Sequence, residues 1–497
     1  MSCALLLLKD HNQKQKNTYK TMKNAILAVL AATLMTGSAC ASKDIKITDN
    51  PWKDVKKVEK RIKAPKFKQK CYDITLYGAV AGQENYKNQA INEAINVAHR
   101  NGGGIVIVPK GTFYTGPITL KSNVCLHLQE GAVLKFSTNP TDYEPMVQTR
   151  WEGWDCYNYH PLIYANGETN IGLTGKGIID GQATDDNWWP WKGKKEHGWK
   201  EGVICQEWNG TKENGGRNRL ARMEEENVPM QQRVMTYADR LRPSFVEFIN
   251  CKNILLEGFT LQRSPFWCLH PMLSENVTVR NVTVSSHGPN NDGCDPESCD
   301  GVLIDGCTFN TGDDCIAIKS GKNNDGRRWG KPSQNIIVRN CKMIDGHGGV
   351  VLGSEISGNV KNVWAENCEM DSPNLDRVIR IKSNPIRGGE LENFFIRNIK
   401  VGVCKEAVFR VEMKYENVTE GPNMPLVKNF LMENVTSQKS KYGVWIDGLT
   451  NTPQKQVTGV TLRNCSFDNV KIPHKIAGAE NVKFENVKIN GEDVKLE

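Results

Sequence analysis

The stretch NVTVRNVTV, residues 276–284, consists of two short runs of alternating apolar side chains joined at Asn281. Alternation with a period of two marks a strand with one buried face, and an asparagine between two such runs supplies a bend. The phrase recurs. NILLEGFTL starts at 253, GVLIDGCTF at 301, NIIVRNCKM at 335 and NVWAENCEM at 362, followed by NFFIRNIKV at 393, NFLMENVTS at 429, GVTLRNCSF at 459 and NVKFENVKI at 481. Successive starts lie 22 to 36 residues apart. That spacing is irregular for a propeller blade and short for a βαβ unit, and helical periodicity is absent. A single unit cannot bury its inner face, so the units must stack. The fold class expected is all-β: a parallel β-helix, a solenoid whose coils add short strands to long parallel sheets.

The repeat also explains cysteines. The chain has 16 Cys, and Cys307, Cys341, Cys368 and Cys465 share a repeat position with Val282, Ile399, Val435 and Val487. A slot that accepts Val, Ile or Cys faces the core, where a free thiol packs as a small hydrophobe. A bridge between Cys294 and Cys299 stays open. No Cys/His spacing suits zinc.

Segments outside the repeat complete the solenoid. Residues 88–100, NQAINEAINVAHR, carry apolar positions at helical spacing and are expected to cap its open N-terminal end. NGGGIVIVPKG (101–111) is no phosphate loop, because its glycines lead into a strand and a proline. Between 183 and 242 the pattern breaks and Trp188, Trp189, Trp191, Trp199 and Trp208 appear. This stretch reads as long cleft-forming loops, either packed on themselves or lining a carbohydrate cleft with aromatic platforms.

Of the formal charge of +8, residues 1–41 carry +4 and residues 42–70 carry +7, which leaves −3 on 71–497. The globular part is not basic and points to no nucleic-acid partner. Residues 1–41 form a signal region: Lys23 precedes an apolar run from Ala25 to Met35 and then small residues, with Met22 the natural start. The run is too short for a membrane anchor. Export is therefore expected, to the periplasm, or to the outer membrane or cell surface if Cys40 carries a lipid anchor. Residues 42–70 read as a basic linker, a solvated tether ahead of a domain over 71–497.

Counting from each repeat start brings polar residues into phase. His270 lies 17 after Asn253, Asp292 16 after Asn276, Asp313 12 after Gly301, His347 12 after Asn335 and Arg380 18 after Asn362. Coils stack at about the strand spacing, ~4.8 Å, so these side chains converge on one outer face. Carboxylates a coil apart can flank a glycosidic bond, one protonated for the leaving oxygen and another ionised to activate water. Asp313 and Asp314 stand side by side with Asp292 next to them, and this crowding of like charges is expected to raise at least one pKa and separate the two roles. Arg380 and Lys382 share one strand face and form a cationic clamp suited to a substrate carboxylate.

The set resembles glycoside hydrolase family 28, the polygalacturonases and their pectin-degrading relatives. The motifs are Asn290-Asn291-Asp292-Gly293, Gly312-Asp313-Asp314, Gly346-His347-Gly348 and Arg380-Ile381-Lys382, with similarity from about Tyr77 onward. The resemblance implies a right-handed β-helix and an inverting hydrolase of α-galacturonosidic bonds that needs no metal or other cofactor. Asp313 would be the general acid, with Asp292 and Asp314 holding and deprotonating water and His347 supporting the acid. Asn290, Arg380, Lys382, Tyr415 and His270 would contact substrate. The partner implied is an acidic plant cell-wall polysaccharide, pectin or its galacturonan oligosaccharides. The inserts before Arg242 point to exo attack. Alternatives are a Ca²⁺-dependent pectate lyase on the same fold, a hydrolase of a branched pectin side chain, and a non-catalytic glycan binder.

Overall fold

Every repeat bends where its sequence places Asn or Gly. Asn253, Asn276, Asn335 and Asn362 sit at φ 58°, and Gly301 and Gly459 fill the same slot at φ 78° and 68°. Five residues on, Asn281, Asn340 and Asn367 turn at φ 52°, 55° and 56°. Gly reaches this left-handed region freely, and Asn reaches it more readily than other L residues. The asparagines then bond from coil to coil: Nδ2 of Asn276 donates to Oδ1 of Asn253 at 2.6 Å, Asn362 to Asn335 at 3.2 Å, Asn393 to Asn362 at 2.9 Å and Asn429 to Asn393 at 2.6 Å. One residue type thus makes the bend and ties it to its neighbours.

Between the bends, strands stack in register into a right-handed parallel β-helix. Val277, Val302, Ile336, Val363, Phe394, Phe430, Val460 and Val482 form one continuous row. The computed structural model describes residues 45–494 and 496; the signal-region reading and Cys40 lie outside them. Residues 47–497 form one unit. Cys307, Cys341, Cys368 and Cys465 are buried and unbridged, as their repeat position requires, and so are Cys294 and Cys299. Helix α1 (Ala90–Arg100) buries Ala90, Ile91, Ala94, Ile95 and Ala98 against the first coils. Among the described residues no helix is long and apolar enough to cross a membrane.

The tether reading is corrected in part. A helix over Pro51–Glu59 buries Pro51, Val55 and Val58, and Trp364 Nε1 donates to the Pro51 carbonyl at 3.1 Å. Arg339 reaches Glu59 at 2.9 Å, and Asn276 Oδ1 accepts from Lys63 N at 2.7 Å. The high charge density of 53–70 masks an amphipathic helix, whose apolar stripe lies on the coils while most of its lysines face water.

A third wall of the solenoid carries the polar residues. Its strands include Leu269–Met272, Ile316–Ile318, Val350–Leu352, Arg377–Lys382, Ala407–Glu412 and Thr436–Asp447. They pair in parallel, with Cys294 bridging Leu269 to Ile316. Ile316 and Ile318 point into the core, so the residues alternating with them look outward.

Candidate active site

Asp313 and Asp314 stand at the bend entering Ile316–Ile318, and they do not share an environment. Asp314 is fully buried, and its Oδ2 accepts from Lys382 Nζ at 2.7 Å. Asp313 is partly exposed, and its Oδ1 pairs with His347 Nδ1 at 2.9 Å. The preceding coil brings in Asp292: Gly293 N donates to the Asp314 carbonyl at 2.9 Å, and Asp292 Oδ2 lies 3.3 Å from Lys319 Nζ. One oxygen from each of the three carboxylates lies within 4.8 Å of the others.

Electrostatics separates Asp292 from Asp313, and the raised group is Asp292. Burial, then the Asp313 charge, pushes Asp292 up to about 7. Burial opposes ionisation of Asp313 too, yet the His347 hydrogen bond and the charges of His347 and Lys382 pull its carboxyl well below the usual range. The Asp313 bond in turn raises His347 to about 9. The proton of this pair therefore rests on His347, with Asp313 ionised. Beneath them, burial and the neighbouring Asp292 push Asp295 far up, although Lys319 lies 3.5 Å away.

Arg380 and Lys382 share one face as expected, 5.6 and 5.3 Å from the Tyr415 ring centroid. Arg380 Nη2 also bonds Glu412 at 3.1 Å. Asn290 turns at φ 56° and accepts from Arg242 Nη2 at 2.8 Å. Arg242 is wholly buried, and its Nη1 and Nη2 also bond neutral oxygens of Pro265, Pro289 and Gln206, at 2.9, 2.6 and 3.2 Å. It fixes the turn that presents Asp292 and ties that turn to the insert.

One expectation is corrected, and one open alternative is settled. His270 is fully buried, held by Glu297 at 2.7 Å and Glu247 at 3.3 Å, and makes no wall of the cleft. Its coil phase was right, but the Trp267 ring packs against it, 4.9 Å between centroids, and it is Trp267 that reaches the cavity. Trp188 and Trp191 pack on Tyr143 and Tyr159 in the core, and none of the five insert tryptophans lines the cavity.

Sequence reasoning missed much of the cavity wall. Lys319 is buried between Asp292, Asp295 and Glu355, 3.3, 3.5 and 3.2 Å from their oxygens, with its Nζ 4.4 Å from the Trp267 ring centroid. Period-two counting from the core-facing Ile316 and Ile318 would have turned Lys319 outward. Glu152, Lys192 and Arg217 come from the inserts, and Glu355 and Glu416 from later loops. Their positions carry no repeat signal. Arg217 Nε bonds Glu152 at 2.9 Å, and its Nη2 reaches Glu416 at 3.5 Å on a strand-end loop of the solenoid wall.

A hard cation takes six to eight oxygen ligands. Here Asp292, Asp313 and Asp314 are already paired with Lys319, His347 and Lys382. The donor set does not fit the calcium-dependent lyase.

A family model, Glycosyl hydrolases family 28, matches residues 230–485, which span all four motifs. The chain belongs to this family. It is a glycoside hydrolase. Among solved structures, a hyperthermoactive exopolygalacturonase from Thermotoga maritima is 41% identical, with a TM-score of 0.82, covering 88% of this chain and 96% of its own. A polygalacturonase from Erwinia carotovora ssp. carotovora shares the fold with a TM-score of 0.62 at 22% identity, over 85% of this chain and 98% of its own. A curated relative, an exo-poly-alpha-D-galacturonosidase of Dickeya chrysanthemi, is 26% identical over 84% of this chain and 70% of its own length.

Proposed function

We propose that this family 28 hydrolase removes galacturonate from the end of a galacturonan chain. The observation that carries the reading is a single cavity that Asp292 and Asp313 share with Lys382 of the clamp and with charged groups from outside the repeat. Asp292 and Asp313 line it together with Lys382 and Tyr415, and Arg217 and Glu152, from segments outside the repeat, line it too. The clamp binds the carboxylate of the sugar on the leaving side. The Arg217–Glu416 contact crosses from insert to solenoid and limits how much chain extends beyond the cleaved bond. Exo action of the Thermotoga and Dickeya proteins, as their names state it, supports the same reading.

In the reaction, protonated His347, 2.9 Å from ionised Asp313, gives up the proton that Asp313 passes on to the glycosidic oxygen. Asp292 and Asp314 orient the water that attacks the anomeric carbon, with Asp292 ionised as the base. Inversion follows from kinship with the family, and NMR of the first-formed anomer tests it.

Product analysis on polygalacturonate with EDTA present tests the whole. Free galacturonate as first product is expected. A spread of oligomers would replace exo with endo action, and an unsaturated product abolished by EDTA would establish the lyase. A protein active only on branched pectin fragments would shift the substrate to a side chain. Export, to the periplasm or, if Cys40 carries a lipid, to the outer membrane or cell surface, suits a polymer met outside the cell. Labelling with a radioactive fatty acid, compared with Cys40→Ala, tests the anchor.

A further inference from the structure

The row of side chains that holds Arg380 does not stop there. In-register pairing places Arg410 on the rung after Arg380, Trp445 on the next and Lys475 on the one after. Their flanking residues Ile379, Phe409 and Val444 face the core, so all four row members look outward on the wall that carries the acid trio.

The cations in this row are held unusually. The Arg410 guanidinium lies 3.7 Å from the Trp445 ring centroid, and Lys475 Nζ lies 5.2 Å from it. The nearest carboxylates to Arg410, on Glu412 and Asp447, stand 3.6 and 3.8 Å away, beyond direct hydrogen bonding. Lys475 is exposed and makes no ion pair among the described residues. An aromatic face positions a cation without consuming its N–H donors. Arg410 is itself buried and spends Nη1 on the Val411 carbonyl at 2.6 Å, so it steadies the Trp445 ring, whereas exposed Lys475 keeps its donors for carboxylates that arrive with a ligand.

Rungs repeat every ~4.8 Å, and a 1→4-linked hexuronan advances by a similar step per sugar. We infer that Trp445 and Lys475, steadied by buried Arg410, form a binding track for the uronate residues beyond the clamp, on the leaving-group side of the chain. The inference rests on the proposed galacturonan reading for its direction, since Arg380 must hold the first leaving-side sugar. The ligand class is a polyanionic hexuronan, gripped through its carboxylates.

The test compares ligand lengths. In an Asp313→Asn background, affinity for hexagalacturonate and for digalacturonate is measured by titration calorimetry, with and without Trp445→Ala/Lys475→Ala. The double variant should lose about tenfold in hexagalacturonate affinity while digalacturonate affinity holds, and the loss should shrink as salt is raised. With Asp313 intact, the double variant should raise KM on polygalacturonate and leave digalacturonate turnover unchanged. Equal hexagalacturonate affinity in both proteins would overturn the track. Calorimetry needs no turnover, so a failure of the hydrolase reading shows separately, as an intact wild type that binds but cleaves neither substrate.

Discussion

The two flanks of the acid trio are built in opposite ways. On the N-terminal side the repeat is broken by inserts, and charged groups from distant segments lock together: Arg217 with Glu152, and Arg150 with Asp155 and Glu297 at 2.7 and 3.2 Å. On the C-terminal side regular coils continue, and one strand row runs from Arg380 to Lys475 without a break in register. The contrast teaches that regular coils supply an open, extensible surface, whereas closing it takes segments that leave the repeat.

The boundary between the flanks should fail most severely when damaged. Asp313→Asn should lower kcat by about 10³-fold or more while thermal unfolding stays close to wild type, because the side chain is partly exposed and its loss removes proton delivery. An active Asp313→Asn would dissolve the boundary altogether. Lys382→Met should cost about 10²-fold in kcat/KM, since it removes half the clamp and strands buried Asp314.

pH sharpens the picture next. With Asp292 raised to about 7 and required ionised, and His347 raised to about 9 and required protonated, kcat/KM should rise as pH climbs through about 7 and fall beyond about 9. Lys319→Met removes a cation beside Asp292 and should move the acid limb upward. An unmoved limb would mean that Asp292 is not the group it reports.

The flanks themselves should respond differently. Arg217→Ala should change kcat on short substrates only a few-fold but lengthen the released products, as read by anion-exchange chromatography. An unchanged product pattern would remove Arg217 from the closed end. Smallest of all, Asn362→Ala should destabilise the fold by about 2 kcal/mol, through the left-handed backbone and the lost ladder bonds, and Asn362→Gly by less. Neither should alter kcat.

How much was readable depended on the range of the interaction responsible. Val277 and Cys307 announced their burial because period-two alternation and repeat position are local. Asp292, Asp313, His347 and Arg380 announced their convergence because coils of nearly constant rise turn sequence phase into spatial alignment. His270 obeyed the same phase and was misread, since phase says nothing about whether Trp267 stands in front of it. Val55 and Val58 were hidden by the lysines around them.

From its sequence alone this protein is a stacked β-helix with an acid cluster facing a cationic clamp, because strand periodicity and left-handed Asn bends are set within a few residues. Tertiary structure alone decided that Asp292 holds the raised pKa while Asp313 stays ionised against protonated His347. It alone brought Arg217 across to Glu416, residues separated by 199 positions. Desolvation and charge pairing depend on neighbours from other coils and inserts, and no local pattern records which neighbours those will be.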